Sequence, residues 1–458
     1  MNRLVVAILA ICCCFSLALA SCTVASQTEE TSAQSLPPAY QAQIDPPPAH
    51  MITPTPPEKS GQLAMHDPEV QESPSGGQLA VHDPEAQESA SDWKIAIVTR
   101  SLKASNDELT VEAIQNMYGQ DRIIHSIWPD VFVGSDEMRI RTIVNIAANP
   151  EVKALVISPA IVGTNEAVAR FREVRDDVFI VYCHPSEEPD KVAELADLIL
   201  AESNLLMGKA IAVQAKAMGA ETLIHYSFPR HMAIPPLARR RDVMQETAER
   251  EGLKFVELTA PDPREDGGVA ATQLHITRDV PLQVELYGKN TAFFGTTCTM
   301  QIPLVTQVVE TGALFPQACC PSPYQCLSAA LQVVTHVPTG KFCPQLGTEL
   351  QTFRPLPEVL AATRVVINAR GATGRFSSWP APTSMAWPII GAGYAIEWLE
   401  GNVPQERGVI DLDVISRLCM EYTLHISGAP IGGVFEPFDH EGLIISHFIE
   451  GILHYLTY

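Results

Sequence analysis

The sequence predicts an α/β fold of two lobes, each built around a parallel sheet. From Trp93 onward, short apolar β-branched strand patterns alternate with amphipathic helix patterns, as in βαβ units with right-handed crossovers. Several helix patterns end at a glycine, the residue that best adopts the left-handed conformation of a helix C-terminus. Two successive runs of about four such units occur, which favours two similar lobes over one closed barrel.

Length, composition and charge limit the classes of protein to which the chain can belong. The chain has 458 residues, of which 46% are apolar, enough for two or three domains with a substantial core. The formal net charge is -22, but residues 23–92 hold eleven acidic side chains against the single Lys59. The rest of the chain is only mildly acidic, which argues against a nucleic-acid partner.

The first 21 residues are typical of a bacterial lipoprotein signal peptide. A short basic head at Arg3 precedes an apolar run over residues 4–20, which is closer to a signal peptide than to a membrane span. The run ends in Leu-Ala-Ser-Cys22, which resembles a lipobox; the alternative is an ordinary secretory signal that contains a cysteine. Lipid on Cys22 would anchor the protein to the extracytoplasmic face of the bacterial cell membrane.

Residues 22–92 are predicted to form a disordered, acidic tether that begins at the lipidated cysteine. The segment contains eleven prolines, and its residues 61–73 recur, almost unchanged, 16 residues later at 77–89. Two copies are fewer than a stacked repeat domain needs, so we expect a partly extended linker. His66 and His82 of the repeats are interpreted as solvated linker residues rather than metal ligands.

The first lobe is predicted over residues 93–200. Its helix patterns include one that begins with a capping box at Ser105–Glu108 and closes near Gly119. Its strands are predicted at 94–99, 122–128, 152–158 and 178–182.

The second lobe is predicted over residues 201–324. Its buried strand 221–227 breaks at Phe228-Pro229, and a polar loop with Arg230 and His231 follows. Ligands of open parallel sheets bind outside the carboxyl ends of the strands, so this loop is an expected ligand contact. The other predicted elements are helices 203–218 and 237–251, strands 254–258 and 291–295, and helices ending near Gly288 and at Gly312.

The C-terminal part, about 325–458, is expected to complete the first lobe. Residues 375–382 are predicted to be an extended crossing segment, and 385–399 an apolar helix capped by Gly401. Gly391-Ala-Gly393 resembles a fragment of a dinucleotide-binding fingerprint, but it lies inside this helical pattern, where close packing explains it better. For residues 409–458 we predict a helix, a glycine-rich turn and a second helix.

The order of elements resembles the type 1 periplasmic solute-binding proteins, the ribose-binding and purine-nucleoside-binding lipoprotein group, over about Trp93–Asn402. The resemblance implies two Rossmann-like lobes with parallel sheets, joined by three crossings, that close on a ligand. Three stretches resemble more narrowly an uncharacterised family of bacterial lipoproteins: His225–His231, Thr291–Phe294 with Cys298, and Cys319–Tyr324. The implied function is a tethered solute-binding lipoprotein that serves a transporter permease or a sensor.

The strand-end loops of the two lobes should converge on one cleft that takes a small polar solute, cyclic or anionic. Aromatic walls with a few placed donors and acceptors would suit such a ligand. The predicted ligand-binding residues are Arg100, Ser101, Ser158, His184, Phe228, Arg230, His231, Asp262, Thr297, Cys298, Ser322, Tyr324 and Trp379. No cofactor and no metal site is predicted.

Arginines are the strongest individual candidates. Arg230 could hold a carboxylate or phosphate through paired hydrogen bonds, or could form a salt bridge to a surface carboxylate. Arg239-Arg240-Arg241 lies near a helix start, where positive charge opposes the helix dipole. The run indicates either an acidic partner, such as a ligand group or Asp262, or a solvated face.

Seven cysteines follow Cys22 and leave several arrangements open. Outside the cytoplasm disulfides can form, and Cys319 or Cys320 could pair with Cys326 or Cys343. The spacings match neither zinc-finger nor iron-sulfur motifs, which argues against a metal. An odd number also leaves at least one free thiol.

Two other functions compete with solute binding. The sequence lacks a Gly-x-Ser-x-Gly elbow, a phosphate-binding loop and a His-Glu-x-x-His motif. An extracytoplasmic enzyme on the same scaffold would have Cys298 as nucleophile with His184 or His231 as base. A surface interaction protein, presented on the long tether, is the third hypothesis.

Overall fold

The computed structural model describes residues 93–100, 107–128, 136–265, 267–343 and 348–458. The predicted signal peptide, the lipidation site Cys22, the tether, Ser101 and the first residue of the capping box, Ser105, all lie outside the described residues. Among the helices that are described, none is long and apolar enough to cross a membrane.

The first lobe is a sheet whose parallel part follows the predicted alternation. Its strands are β1 (Lys94–Arg100), β2 (Ile123–Trp128), β3 (Val152–Ile157), β4 (Phe179–Cys183) and β5 (Leu198–Glu202), in the spatial order β2-β1-β3-β4-β5. The connecting helices are α1 (Asp107–Tyr118), α2 (Asp136–Ile146), α3 (Thr164–Arg172) and α4 (Pro189–Leu195), with a 3-10 turn at Gln120–Arg122. Strands β1, β3 and β4 are almost wholly buried, as expected of a parallel sheet covered by helices on both faces.

The second lobe repeats this plan on a smaller sheet, with strand order β7-β6-β8. The chain runs through α5 (Asn204–Ala217), β6 (Thr222–Ser227), the short α6 (Pro229–Met232), α7 (Pro235–Arg250), β7 (Lys254–Thr259), α8 (Gly268–Tyr287), β8 (Thr291–Gly295), α9 (Cys298–Thr311) and α10 (Cys326–Leu331). It continues through a hairpin of β9 (His336–Cys343) and β10 (Thr348–Phe353), then α11 (Leu356–Ala369) and β11 (Ser377–Ser378).

The second sheet takes in residues well beyond position 324, where the sequence suggested that the lobe ends. Leu314 pairs in parallel with Ala292 of β8, and Phe315 pairs in parallel with Phe376. Backbone bonds from Phe315 to Arg375 and from Ser377 to Phe315 extend this contact. The chain near Leu314 and near Phe376 therefore extends the second sheet beyond β8.

The C-terminal residues complete the first lobe, but the predicted last helix is wrong. After α12 (Thr383–Leu399) and α13 (Leu412–Ser427), the chain forms a hairpin of β12 (Gly433–His440) and β13 (Leu443–Leu453) and the short β14 (Leu456–Thr457). Glu441 and Gly442 both have positive φ at its tip, as a tight hairpin turn requires. Strand β13 pairs in parallel with β5, so the hairpin becomes the far edge of the first sheet.

Three crossings join the lobes, which confirms the predicted fold class. The chain passes from β5 into α5 at Glu202–Ser203, from β11 into α12, and from β13 into β14. The last strand pairs antiparallel with β11, so the C-terminus returns to the second lobe. This is the two-lobed architecture that the resemblance implies.

Glycines allow helix α12 to lie close to the first sheet. A Cβ at Gly391 would come within 2.8 Å of Val181, and one at Gly393 within 2.8 Å of Leu418. Both positions are buried inside the helix. Close packing thus accounts for the Gly-Ala-Gly run, as the sequence indicated.

Candidate functional site

The carboxyl ends of the strands carry the predicted residues in both lobes. Arg100 ends β1, and Ser158 and His184 follow β3 and β4. In the second lobe Phe228 directly follows β6, and Asp262 and Thr297 lie three and two residues after the ends of β7 and β8. The sequence therefore placed its candidates at the edge of each sheet where ligands of this fold class bind.

Arg230 is paired within the chain. Its Nε and Nη2 donate to the two carboxylate oxygens of Asp262 at 2.7 and 2.8 Å. The hydrogen bond from Arg230 lowers the pKa of Asp262, whose side chain is almost fully buried. Of the two alternatives that the sequence left open, the structure shows the salt bridge, although the partner is a buried carboxylate rather than a surface one.

Phe228 and His231 pack against each other beside this ion pair. Their ring centroids are 4.1 Å apart, and the guanidinium of Arg230 lies 5.0 Å from the Phe228 ring. His231 Nδ1 is 3.1 Å from Thr296 Oγ1. Burial, together with the charge of Arg230, lowers the pKa of His231 to about 4, so the imidazole is neutral at pH 7.

Three more of the predicted ligand-binding residues contact other parts of the protein: Ser322, Tyr324 and Trp379. The Tyr324 hydroxyl donates to the carbonyl of Arg354 at 2.8 Å, and the Tyr324 backbone N–H donates to Ser322 Oγ at 3.2 Å. Trp379 is 1% exposed. The expected aromatic wall is therefore largely packed against protein, and a ligand in this region has to be held mainly by polar groups.

Arg240, which the sequence flagged only as part of a triple arginine, is a further candidate for the site. It is buried, its Nη1 makes two long contacts of 3.4 Å to Asn204 Oδ1 and Met207 Sδ, and its guanidinium lies 5.3 Å from the Phe294 ring. Among the described residues its Nε has no hydrogen-bond partner. Burial lowers its pKa.

Arg241, the next residue along the chain, is paired with carboxylates. Arg241 Nη1 donates to both carboxylate oxygens of Glu257 at 2.8 and 2.7 Å, and its Nε donates to Asp242. The predicted acidic partner of the run is thus a surface carboxylate and not Asp262. Helix α7 turns Arg240 inward because Gly208 of α5 lets the helices touch: a Cβ at position 208 would clash with the Arg240 carbonyl oxygen.

A chain of polar contacts leads from the first lobe to Arg240. The His184 ring hydrogen-bonds the backbone of Thr383, and the Thr383 hydroxyl donates to Glu202 Oε2 at 3.1 Å. Glu202 ends β5, where its carboxyl interacts with Arg240, and burial raises its pKa. Burial lowers the pKa of His184 to about 4. Residues of both lobes thus meet at the first and second crossings.

Four cysteines gather at the strand carboxyl ends of the second lobe. Cys298 Sγ lies 3.3 Å from Cys319 Sγ and 3.5 Å from Cys320 Sγ, and the last two are 3.8 Å apart. Cys326 contacts Cys298 and Cys319. All four are free thiols, so the suggested disulfides are not formed among them. The sulfur atoms of Cys298, Cys319 and Cys320 form the only group of three or more potential ligands within the described residues that lies close enough together to hold one metal ion.

One of the four thiols, that of Cys298, has a lowered pKa, and the pKa values of the others are raised. Hydrogen bonds from Cys319, Cys320 and Cys326 hold the pKa of Cys298 well below its usual range. The same contacts raise the pKa of Cys319, and that of Cys326 to about 12. His231, the base of the enzyme hypothesis, is bonded to Thr296 instead, so the structure gives that pairing no support.

Two cavities occur away from these residues. One of about 110 Å³ lies near Val178 and Asp197, which precede β4 and β5, and thus at the opposite edge of the first sheet. The other, about 400 Å³, lies along α8 near His275. Neither is lined by a predicted ligand-binding residue.

Acid should destabilise the fold through its buried histidines. Burial, and then the charges of Arg240 and Arg241, lower the pKa of His225 from 6.5 to about 3. The unfolded chain therefore binds a proton more readily, so stability is full above pH 6.5 and is lost as the pH falls towards 3. His225→Phe removes the ring that titrates. We expect the free energy of unfolding of this variant, measured by urea denaturation, to fall less steeply with pH between 6.5 and 3 than that of the wild type, by on the order of 1.4 kcal/mol per pH unit.

The control for this experiment is His425→Gln, which alters an exposed histidine of α13. It should keep the acid dependence of the wild type. Acid profiles that coincide for His225→Phe and the wild type would contradict the assignment.

The chain is similar to one described protein family and to two bacterial proteins. The family described as "Protein of unknown function (DUF3798)" matches residues 93–344. An "Uncharacterized protein" of Treponema pallidum (strain Nichols) is 32% identical over 169 residues, which are 37% of this chain and 78% of that protein. A second Treponema pallidum protein is 33% identical over 166 residues, 35% of this chain and 75% of that protein.

Solved structures share the fold. The crystal structure of a "Putative transcriptional regulator" from Clostridium difficile 630 has a TM-score of 0.67 at 23% identity, covering 80% of this chain and 99% of that chain. A periplasmic ribose ABC transporter structure from Conexibacter woesei DSM 14684 has a TM-score of 0.40 at 12% identity, covering 71% and 94%. The Clostridium difficile structure supports the two-lobed fold.

Proposed function

The chain belongs to the family described as a protein of unknown function (DUF3798), and from its two-lobed fold we propose that it is a solute-binding lipoprotein of the bacterial cell surface. It binds a small polar solute between the lobes. Lipid on Cys22 anchors it to the extracytoplasmic face of the membrane, and residues 23–92 form the tether. The bound solute is passed to a transporter permease or reported to a sensor.

The observation that supports this proposal most is a set of buried polar atoms that lack a partner in the described part of the chain. Such atoms occur throughout the described residues, and three of them lie near the strand ends and crossings: His184 Nε2 in the first lobe and Arg240 Nε and Gln317 Nε2 in the second. A buried polar group without a hydrogen bond costs about 1–3 kcal/mol. Three such groups near the strand ends and crossings are therefore best explained by a ligand that satisfies them.

These groups also define the class of solute. Arg240 carries a buried positive charge, which favours a ligand with a carboxylate, a phosphate or several hydroxyl oxygens. The Gln317 amide donates hydrogen bonds to oxygen, while its Oε1 accepts from Tyr455. Because the Phe228 ring is packed against His231 and Arg230, we expect polar contacts to contribute more to affinity than aromatic stacking.

Ligand-dependent stabilisation tests the proposal. The full-length protein, extracted in detergent, would be melted with nucleosides, sugars, amino acids and small acids. A true ligand at a hundredfold excess over its dissociation constant should stabilise the fold by about 2.7 kcal/mol. His184→Leu should abolish this stabilisation, because it removes the Nε2 atom of the first lobe.

The matched control is His425→Leu, the same change at an exposed position. It should leave the ligand-induced shift intact. Flat melting curves across the whole panel, or a His184→Leu variant that responds like the wild type, would count against solute binding.

A further inference from the structure

We propose that Cys298, Cys319, Cys320 and Cys326 form a binding site for one thiophilic divalent metal ion of the Zn²⁺ class. The site lies at the strand carboxyl ends of the second lobe. It stands on the sulfur geometry and not on the proposed solute-binding function, so either proposal can fail without the other.

The distances between sulfur atoms fit a single ion. A tetrahedral Zn²⁺ with Zn–S bonds of about 2.3 Å places its sulfur atoms about 3.8 Å apart. The separations among Cys298, Cys319 and Cys320, which are 3.3, 3.5 and 3.8 Å, are close to that value. Cys326 contacts two of these three, Cys298 and Cys319, and is the fourth ligand of the proposed site. An iron-sulfur cluster distributes its cysteines over different irons and would need the sulfur atoms farther apart.

The fold, rather than a sequence motif, assembles the four ligands. Cys298 is the first residue of α9, directly after β8, and Cys326 is the first residue of α10. Cys319 and Cys320 follow Phe315, which pairs into the second sheet. The N-terminus of the 14-residue α9 directs backbone N–H groups and a positive dipole at its cysteine, which favours the thiolate that a metal requires.

The surroundings of the cluster favour negative charge. Arg240 interacts with Cys319 and Cys320 from inside the lobe. Four thiolates around a divalent ion leave an excess of negative charge, and the buried guanidinium offsets part of it. Cys298 is the exposed member, which gives an ion a route to the site from solvent.

Metal titration tests this proposal with Zn²⁺ and Cd²⁺ as probes. The full-length protein would be purified without oxygen, reduced and stripped with a chelator. We expect one ion per chain, competition with a chromophoric chelator for Zn²⁺, and a thiolate-to-metal charge-transfer band with Cd²⁺. Cys298→Ser and Cys320→Ser should each weaken binding by more than the 10–100-fold that loss of a supporting residue typically costs.

Cys183→Ala and Cys419→Ala are the controls, because both alter buried cysteines outside the cluster. They should bind metal as the wild type does. Circular dichroism of the metal-free variants separates loss of a ligand from loss of the fold. Failure of the folded, reduced wild type to take up either ion, or equal uptake by folded Cys298→Ser, would overturn the proposal. A disulfide among the four cysteines that persists after reduction would overturn it as well.

Discussion

Arg240→Met should abolish solute binding while the protein stays folded. The guanidinium is buried, and its hydrogen bonds within the described residues are two long contacts of 3.4 Å to Asn204 and Met207. Removing one partner of a buried, hydrogen-bonded charge pair typically costs about 2–5 kcal/mol of binding free energy. This corresponds to a loss of about 30-fold to several thousand-fold in affinity, which calorimetry on an identified ligand would measure.

The same substitution should leave the ligand-free protein folded. Burial already raises the pKa of Glu202, the carboxyl group that interacts with Arg240, so this group can take up a proton once the guanidinium is removed. Arg241→Met is the matched control, because that side chain pairs with Glu257 at the surface; it should change neither affinity nor stability by more than about 0.5 kcal/mol. Wild-type affinity in Arg240→Met would remove this residue from the binding site.

Trp387→Ala should lower the free energy of unfolding by about 3–5 kcal/mol. Trp387 is 1% exposed on α12, and its ring meets that of Phe435 in β12 edge to face at 5.7 Å. The contact joins the helix that returns from the second lobe to the C-terminal hairpin. Urea denaturation therefore tests whether the hairpin is an integral part of the first lobe.

Ile444→Ala is the control in the same hairpin, because Ile444 is exposed at its tip. Its effect should stay within about 0.5 kcal/mol. A double-mutant cycle of Trp387 and Phe435 should give a coupling of about 0.5–1.5 kcal/mol, as for other aromatic pairs. A Trp387→Ala effect no larger than that of Ile444→Ala would show that the hairpin is not packed as described.

The sequence predicted the fold well because the fold is repetitive. Each strand and helix of the two lobes has its own apolar pattern and, in several cases, its own terminating glycine. The hairpin at residues 433–453 was missed because β13 is eleven residues long and seven of them are apolar. Such a segment is long enough for a helix, and periodicity alone does not separate helix from strand. Its register depends on pairing with β5, more than 240 residues earlier in the chain.

The strand-end positions of the candidate residues could be predicted from the sequence, but their contacts could not. Topology alone brings strand ends to one edge of a sheet, so His184, Phe228 and Arg230 were placed correctly at that edge. Which side chains pair depends on three-dimensional packing: Arg230 meets Asp262, 32 residues away, and Arg240 is buried because Gly208 admits helix α7. The cysteines come from separate loops and helix ends, so their spacing resembles no known metal motif.

Native mass spectrometry of the gently purified full-length protein tests the central claim most directly, namely that the two lobes enclose a small polar solute. The wild type should carry one small molecule per chain, and the same preparation of Arg240→Met should lack it. A wild-type mass equal to that of the bare lipidated chain, and unchanged in Arg240→Met, would contradict the claim.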